Sequence, residues 1–304
     1  MIAETAASRL LRALGFGADI MYPVEVICDN CPLDPWTATT KLRRGSEPAL
    51  AGYRAMVRTG IGGLGTFRSV RDQRTTIRYP MAAIERKPSK YKLENPNSEG
   101  WTFAELLSLL PEGEKGMEEK IHREGLVTIL GMLQHADSKA EQQRIICEKE
   151  DIEETSNGAI CTKPRLMVHD LGFTFGSGWS LLPLKFSKMN AKDWQKKGLW
   201  SGRPENCILS VNEVQPDNPT LRDTSVSNEG RAFAACLLDQ LTTNQIREIF
   251  ETSRVDKWDM NSASLDEWTS VMQSKIQSIK TTRCSKSIGA GGADLLPSAC
   301  KKYL

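Results

Sequence analysis

His135-Ala136-Asp137-Ser138-Lys139-Ala140-Glu141-Gln142 is the stretch on which the fold of this chain turns, together with His169-Asp170-Leu171-Gly172 downstream. Two carboxylates, a lysine and an amide fall in short polar segments, and each segment borders an apolar run. Residues 118–134 lead directly into the first, with Ile121, Leu126, Ile129, Leu130 and Leu133 recurring at helical spacing. Residues 144–147 (RIIC) and 165–168 (RLMV) are apolar runs suited to two buried strands around a polar, acidic excursion. Paired antiparallel, they would bring Cys147 and Cys161 near the two sides of that excursion. A cross-strand disulfide is expected there, with two ordinary thiols as the alternative.

Upstream, Ala3, Ala7, Leu10, Leu11 and Leu14 predict a helix over residues 1–14, stopped by the glycines at 15 and 17. Glu4 lies near its apolar stripe, where a carboxylate is favourable at a helix N-terminus. Residues 22–28 (YPVEVIC) and 79–87 (YPMAAIERK) read as strands. The polar excursion joining them holds Cys28-Asp29-Asn30-Cys31, a lone CxxC with no second pair at zinc spacing. A local disulfide or free thiols is expected, with a redox site as a lesser alternative. It also holds Gly60-Ile61-Gly62-Gly63-Leu64-Gly65. Taken as a phosphate loop it would make Lys87 and Glu105 its partners, which leaves too little chain before Asp137 for the intervening elements, so a surface loop is the better interpretation.

Residues 101–110 predict a short amphipathic helix ended by Pro111. Towards the C-terminus, residues 229–241 predict another helix, and Thr242-x-x-Gln245 and Ser264-x-x-Glu267 are capping boxes opening helices to 252 and 280. Arg203-Pro204-Glu205-Asn206 is a turn. Residues 281–304 have tail composition and are expected to be flexible.

Lys+Arg 40 against Asp+Glu 38 leaves a net charge of +2, which offers no footprint for nucleic acid and no polybasic stripe for a membrane surface. No apolar run approaches the roughly 18–20 residues of a membrane span, and residues 1–20 lack the pattern of a signal peptide. A soluble chain is expected. Its eight cysteines permit disulfides, and with them an extracytoplasmic location, without proving an oxidising compartment.

In order, the long helix, HxDxKxxQ, strand, strand, HDLG and helical C-terminus resemble the large lobe of the protein-kinase-like superfamily. The flavour is that of its atypical lipid-kinase, HipA-like and secretory-pathway members, and of a bacterial group with the same HxDxKxEQQ stretch. HADSKAEQ stands here against HRDLKPEN in ordinary kinases. The resemblance implies an ATP- and magnesium-dependent phosphotransferase with an acceptor it does not identify. It makes Asp137 the base orienting the acceptor hydroxyl and Lys139 the charge steadying the transferred group. Gln142 and Asp170 become the magnesium ligands, and His135 and His169 braces of their loops. Gln142 departs from the family's usual Asn, and the two aspartates lie 33 positions apart, wider than usual, the excursion absorbing the excess. In the family a Gly-rich hairpin and a strand lysine precede the helix whose glutamate pairs with that lysine. Glu4 sits where that nucleotide-side glutamate would be, so the resemblance implies a chain missing the first three strands of its small lobe.

The expected fold is therefore α+β and protein-kinase-like. Residues 1–90 would be a remnant of the small lobe, 91–280 a mostly helical large lobe with the catalytic and metal loops, and 281–304 the flexible tail. A non-catalytic kinase-like module that binds a nucleotide or a protein is the alternative.

Overall fold

The computed structural model describes residues 1–29, 77–86, 91–93, 99–156, 158–176, 178–180, 185–187, 189–211, 221–257 and 263–304. Cys31, Gly60–Gly65 and Lys87 lie outside them. The chain is mixed α and β, and it divides into two units. One comprises Met1–Met21, Glu85–Trp179 and Ser187–Leu304; the other comprises Tyr22–Ile84 and Ser180–Phe186. The chain thus changes unit between Ile84 and Glu85, and the first helix belongs to the larger unit.

In the larger unit, α1 (Ile2–Ala13) buries Ala3, Ala6, Ala7, Leu10 and Leu11, the stripe that its sequence spacing sets out. It leads into β1 (Gly17–Ala18), which pairs in parallel with β8 (Arg165–Val168). β8 runs antiparallel to β5 (Gln143–Cys147), and β5 antiparallel to β4 (Tyr91–Leu93), giving the order β1-β8-β5-β4. The expected β5–β8 hairpin is present. Its excursion folds into a second hairpin of β6 (Ile152–Thr155) and β7 (Gly158–Cys161), and a disulfide joins Cys147 to Cys161.

The helices complete the unit. α2 (Phe103–Ser108) starts at a capping box made by Thr102 and Glu105, and α3 (Gly113–Leu133) buries nearly all of its C-terminal half. A short helix that the sequence left in a loop region, α4 (Ala191–Lys196), is capped by Asn190. α5 (Asn228–Asp239) packs on α3, and α6 (Thr243–Thr252) and α7 (Leu265–Thr281) begin at the two capping boxes legible in the sequence. Gly230 makes the α3–α5 approach possible, because a Cβ there would stand 2.4 Å from the Cβ of Glu124. Phe175, Trp194, Phe250 and Trp268 form a buried aromatic cluster with ring centroids 4.9–6.4 Å apart, mostly edge-on.

The expectation of a flexible tail at 281–304 needs correction. Disulfides join Cys207 to Cys284 and Cys236 to Cys300, and Leu296 and Tyr303 are buried. The glycine-rich run at 289–292 and the lack of a helical or strand period hid this, while long-range covalent links and Arg231 fix the segment. The fully buried Arg231 guanidinium donates to the carbonyls of Ile279 and Tyr303. In the smaller unit, β2 (Ile20–Cys28) and β3 (Ile77–Arg86) pair as a two-stranded sheet with an Arg78–Glu25 ion pair at 3.2 Å. β9 (Gly178–Ser180) and β10 (Lys185–Ser187) form a third small ladder. Among the described residues no helix is long and apolar enough to cross a membrane.

Candidate functional site

α3 stops at Leu133 because Gln134 adopts a left-handed conformation (φ +56). The Gln134 amide is held by the carbonyls of Gly131 (3.1 Å), Gly198 (3.4 Å) and Ser210 (2.7 Å). The next turn is stitched to the loop after β8 by main-chain bonds from Ala136 N to Phe173 O (2.8 Å), Phe175 N to Leu133 O (2.7 Å) and His169 N to Gln142 O (2.7 Å). Both polar stretches singled out in the sequence therefore form one backbone-linked pair of loops.

Their side chains converge. Lys139 Nζ lies 3.4 Å from Asp137 Oδ2, and Gln142 Nε2 donates to Asp170 Oδ2 at 3.1 Å. The Gln142 side chain also favours the ionised form of Asp137, so this amide acts on both carboxylates. Asp137 and Gln142 are buried, Lys139 is half-buried, and Asp170 is exposed with a positive φ (+48). Burial pushes the Asp137 carboxyl above its ordinary value; Lys139 opposes the shift, and the charge of Asp170 adds to it.

Glu4 stands apart in contacts but not in field. Burial raises its pKa, the α-amino group of Met1 at 3.6 Å opposes the rise, and the charges of Asp170, Glu85 and Asp19 add to it. Among the described residues no lysine forms an ion pair with Glu4. The structure thus brings Asp137, Lys139, Gln142 and Asp170 together, while Glu4 meets Asp170 only through charge.

Two braces escaped the sequence. Asp19, which follows β1 and is buried, accepts from His169 Nδ1 with both carboxylate oxygens at 2.8 Å. Parallel pairing of β1 with β8 makes these residues neighbours although 150 positions separate them. No local signal marks such a pair. On the other flank, Trp101 N donates to the carbonyls of Ala140 (3.0 Å) and Gln143 (3.1 Å), and the Gln143 amide returns bonds to Trp101 O and Lys139 O. Gly100 (φ +74) permits this approach, since a Cβ there would fall 2.1 Å from Ala140 O.

His135 has a different role. It is fully buried, neither ring nitrogen has a hydrogen-bond partner among the described residues, and burial holds its pKa down to about 3. It fills space as a neutral ring. No cluster of three His, Cys, Asp or Glu side chains suited to a metal occurs among the described residues; the oxygen donors here are two carboxylates and one amide. No protein-family model, curated protein or solved structure matches this chain, so the case for its chemistry rests on this geometry.

Proposed function

We propose that the chain is a protein-kinase-like phosphotransferase that moves the γ-phosphoryl group of ATP to a hydroxyl acceptor. The observation that carries this is the Gln142 amide acting on both Asp137 and Asp170, with Lys139 on Asp137, at loops bordering the antiparallel β5–β8 pair. The order of helix, catalytic loop, hairpin and metal loop agrees with the large lobe of that superfamily.

Asp137 orients the acceptor hydroxyl and takes its proton. Its raised pKa makes it a better base than an ordinary carboxylate, which is what general-base work near neutral pH requires. Lys139, held at Asp137, reaches the transferred group and offsets its charge. Asp170 and the Gln142 amide oxygen would hold magnesium, and two hard oxygen ligands with retained water suit that ion. The crowding of Asp170, Glu85 and Asp19 about Glu4, each raising the Glu4 pKa, is the surplus negative charge that a divalent cation relieves. Bound magnesium would neutralise phosphate charge and template the nucleotide. Gln142 now donates to Asp170, so its amide would turn to present the oxygen.

A second reading is a kinase-like module that binds nucleotide without turnover; it is favoured by the want of a lysine paired with Glu4 among the described residues. Mass-spectrometric detection of phosphoryl transfer from Mg-ATP separates the two. Activity in the parent and its loss, by roughly 100-fold or more, in Asp170→Ala is expected. Equal activity in Asp170→Ala would sink the phosphotransferase, and nucleotide-induced thermal stabilisation without turnover would establish the binding module. The three disulfides among the described residues are compatible with work in an oxidising, extracytoplasmic compartment.

A further inference from the structure

A cavity of about 560 Å³ opens where the end of α1 meets β8, α3 and α5, and its lining includes none of the candidate phosphotransfer residues. Its wall is more apolar than polar, with Leu14, Leu126, Ile146 and Met167 themselves buried. Every charged side chain lining it among the described residues is basic. We propose that this cavity binds an amphipathic organic anion, with a carboxylate or phosphate-ester head on an alkyl or aryl body.

The cations divide by how firmly they are held. Arg123 is committed: it donates to the carbonyls of Leu106 and Leu109 and pairs with Glu119 at 2.8 Å. Arg12 and Arg165 are exposed and hold weak partners, the Ala18 carbonyl at 3.4 Å and Glu148 at 3.8 Å. Such long or solvent-screened contacts cost little to exchange for an anionic head. Parallel pairing sets Gly17 beside Met167 and so draws the end of α1, with Arg12, alongside the start of β8, with Arg165. Two guanidinium groups then border one apolar chamber. Phe233, its ring tilted 35° against that of His122 at 4.6 Å between centroids, supplies an aromatic wall for the body of the ligand.

Size and composition agree. The cavity is open to solvent on the side of its exposed arginines, so a ligand can reach its apolar residues from outside. Small-molecule sites occupy roughly 300–1,000 Å³ and combine apolar walls with a few placed polar groups. An ordinary core gap would carry no cationic border, and a surface patch for inorganic anions would have no apolar chamber.

Titration calorimetry of the full chain with sodium decanoate, decyl phosphate, decyltrimethylammonium and inorganic phosphate, each below its micellar range, tests the proposal. Decanoate or decyl phosphate should bind, the better of them naming the head group, while decyltrimethylammonium and inorganic phosphate should not bind comparably. The double variant Arg12→Gln/Arg165→Gln should weaken the anion roughly tenfold or more with an unchanged melting temperature, because both side chains are exposed. Leu237→Trp, which fills the chamber from α5, should weaken it as well. Equal binding of the cationic amphiphile, parent-like affinity in the double variant, or no amphiphile binding would each overturn the assignment.

Discussion

Asp137 is held where an ionised carboxylate is disfavoured. Burial outweighs the help of Lys139, so the folded chain binds the Asp137 proton more tightly than the unfolded chain does, and the ionised form costs stability at neutral pH. Asp137→Asn keeps the shape and removes that cost. We expect phosphoryl transfer to fall by roughly 100- to 10,000-fold while the melting temperature rises slightly; a marked fall in melting temperature would show that the Lys139 pair dominates. His135 works in the opposite sense. Its pKa is about 3 in the fold against 6.5 ordinarily, so between those values the unfolded state binds more protons and stability drops as pH falls. The full loss, up to about 5 kcal/mol, is reached near pH 3. Denaturant unfolding from pH 7 to 4 should show this slope in the parent and a shallower one in His135→Phe.

At the level of elements, the β5–β8 hairpin sets the spacing between the two candidate loops. Its excursion, from β6 to β7, hangs beyond the end of β5 and is closed by the Cys147–Cys161 disulfide across 14 positions. The site depends on β5–β8 pairing and the main-chain bonds between loops, not on the excursion itself. Cys147→Ser/Cys161→Ser should therefore lower stability by about 3 kcal/mol, as expected for releasing a loop of this length, and leave the rate of phosphoryl transfer within about twofold. Thermal unfolding and transfer assays run together would check both halves. These elements were largely legible in the sequence. Helices α1, α3, α5, α6 and α7, strands β2, β3, β5 and β8, and the disulfide follow from periodicity, capping boxes and antiparallel pairing, all of which are local. The two-residue β1, the three-residue β4 and α4 were not, because elements so short have no periodicity and exist by pairing or packing against distant segments.

Two disulfides clamp the C-terminal segment across the helical core of the larger unit, from Cys284 to Cys207 and from Cys300 to Cys236, spanning 77 and 64 positions. Long loops closed in this way contribute on the order of 4 kcal/mol each in the chain-entropy picture. Reduction with dithiothreitol should lower the melting temperature by roughly 10 °C or more, and calorimetry with and without reductant measures it; a smaller shift would mean that Arg231 and the buried Leu296 and Tyr303 suffice to hold the segment. By itself the sequence determined the longer helices and strands and the two polar stretches that carry Asp137, Lys139, Gln142 and Asp170, since each is written in residues a few positions apart, and it made Cys147–Cys161 the preferred cysteine pair. Only the tertiary structure decided that Gln142 acts on two aspartates, that Asp19 braces His169, that the C-terminal segment is clamped, and that an arginine-bordered chamber opens beside α1. Those pairings join residues 28 to 150 positions apart, and which of them form is settled by how the whole chain buries its apolar surface.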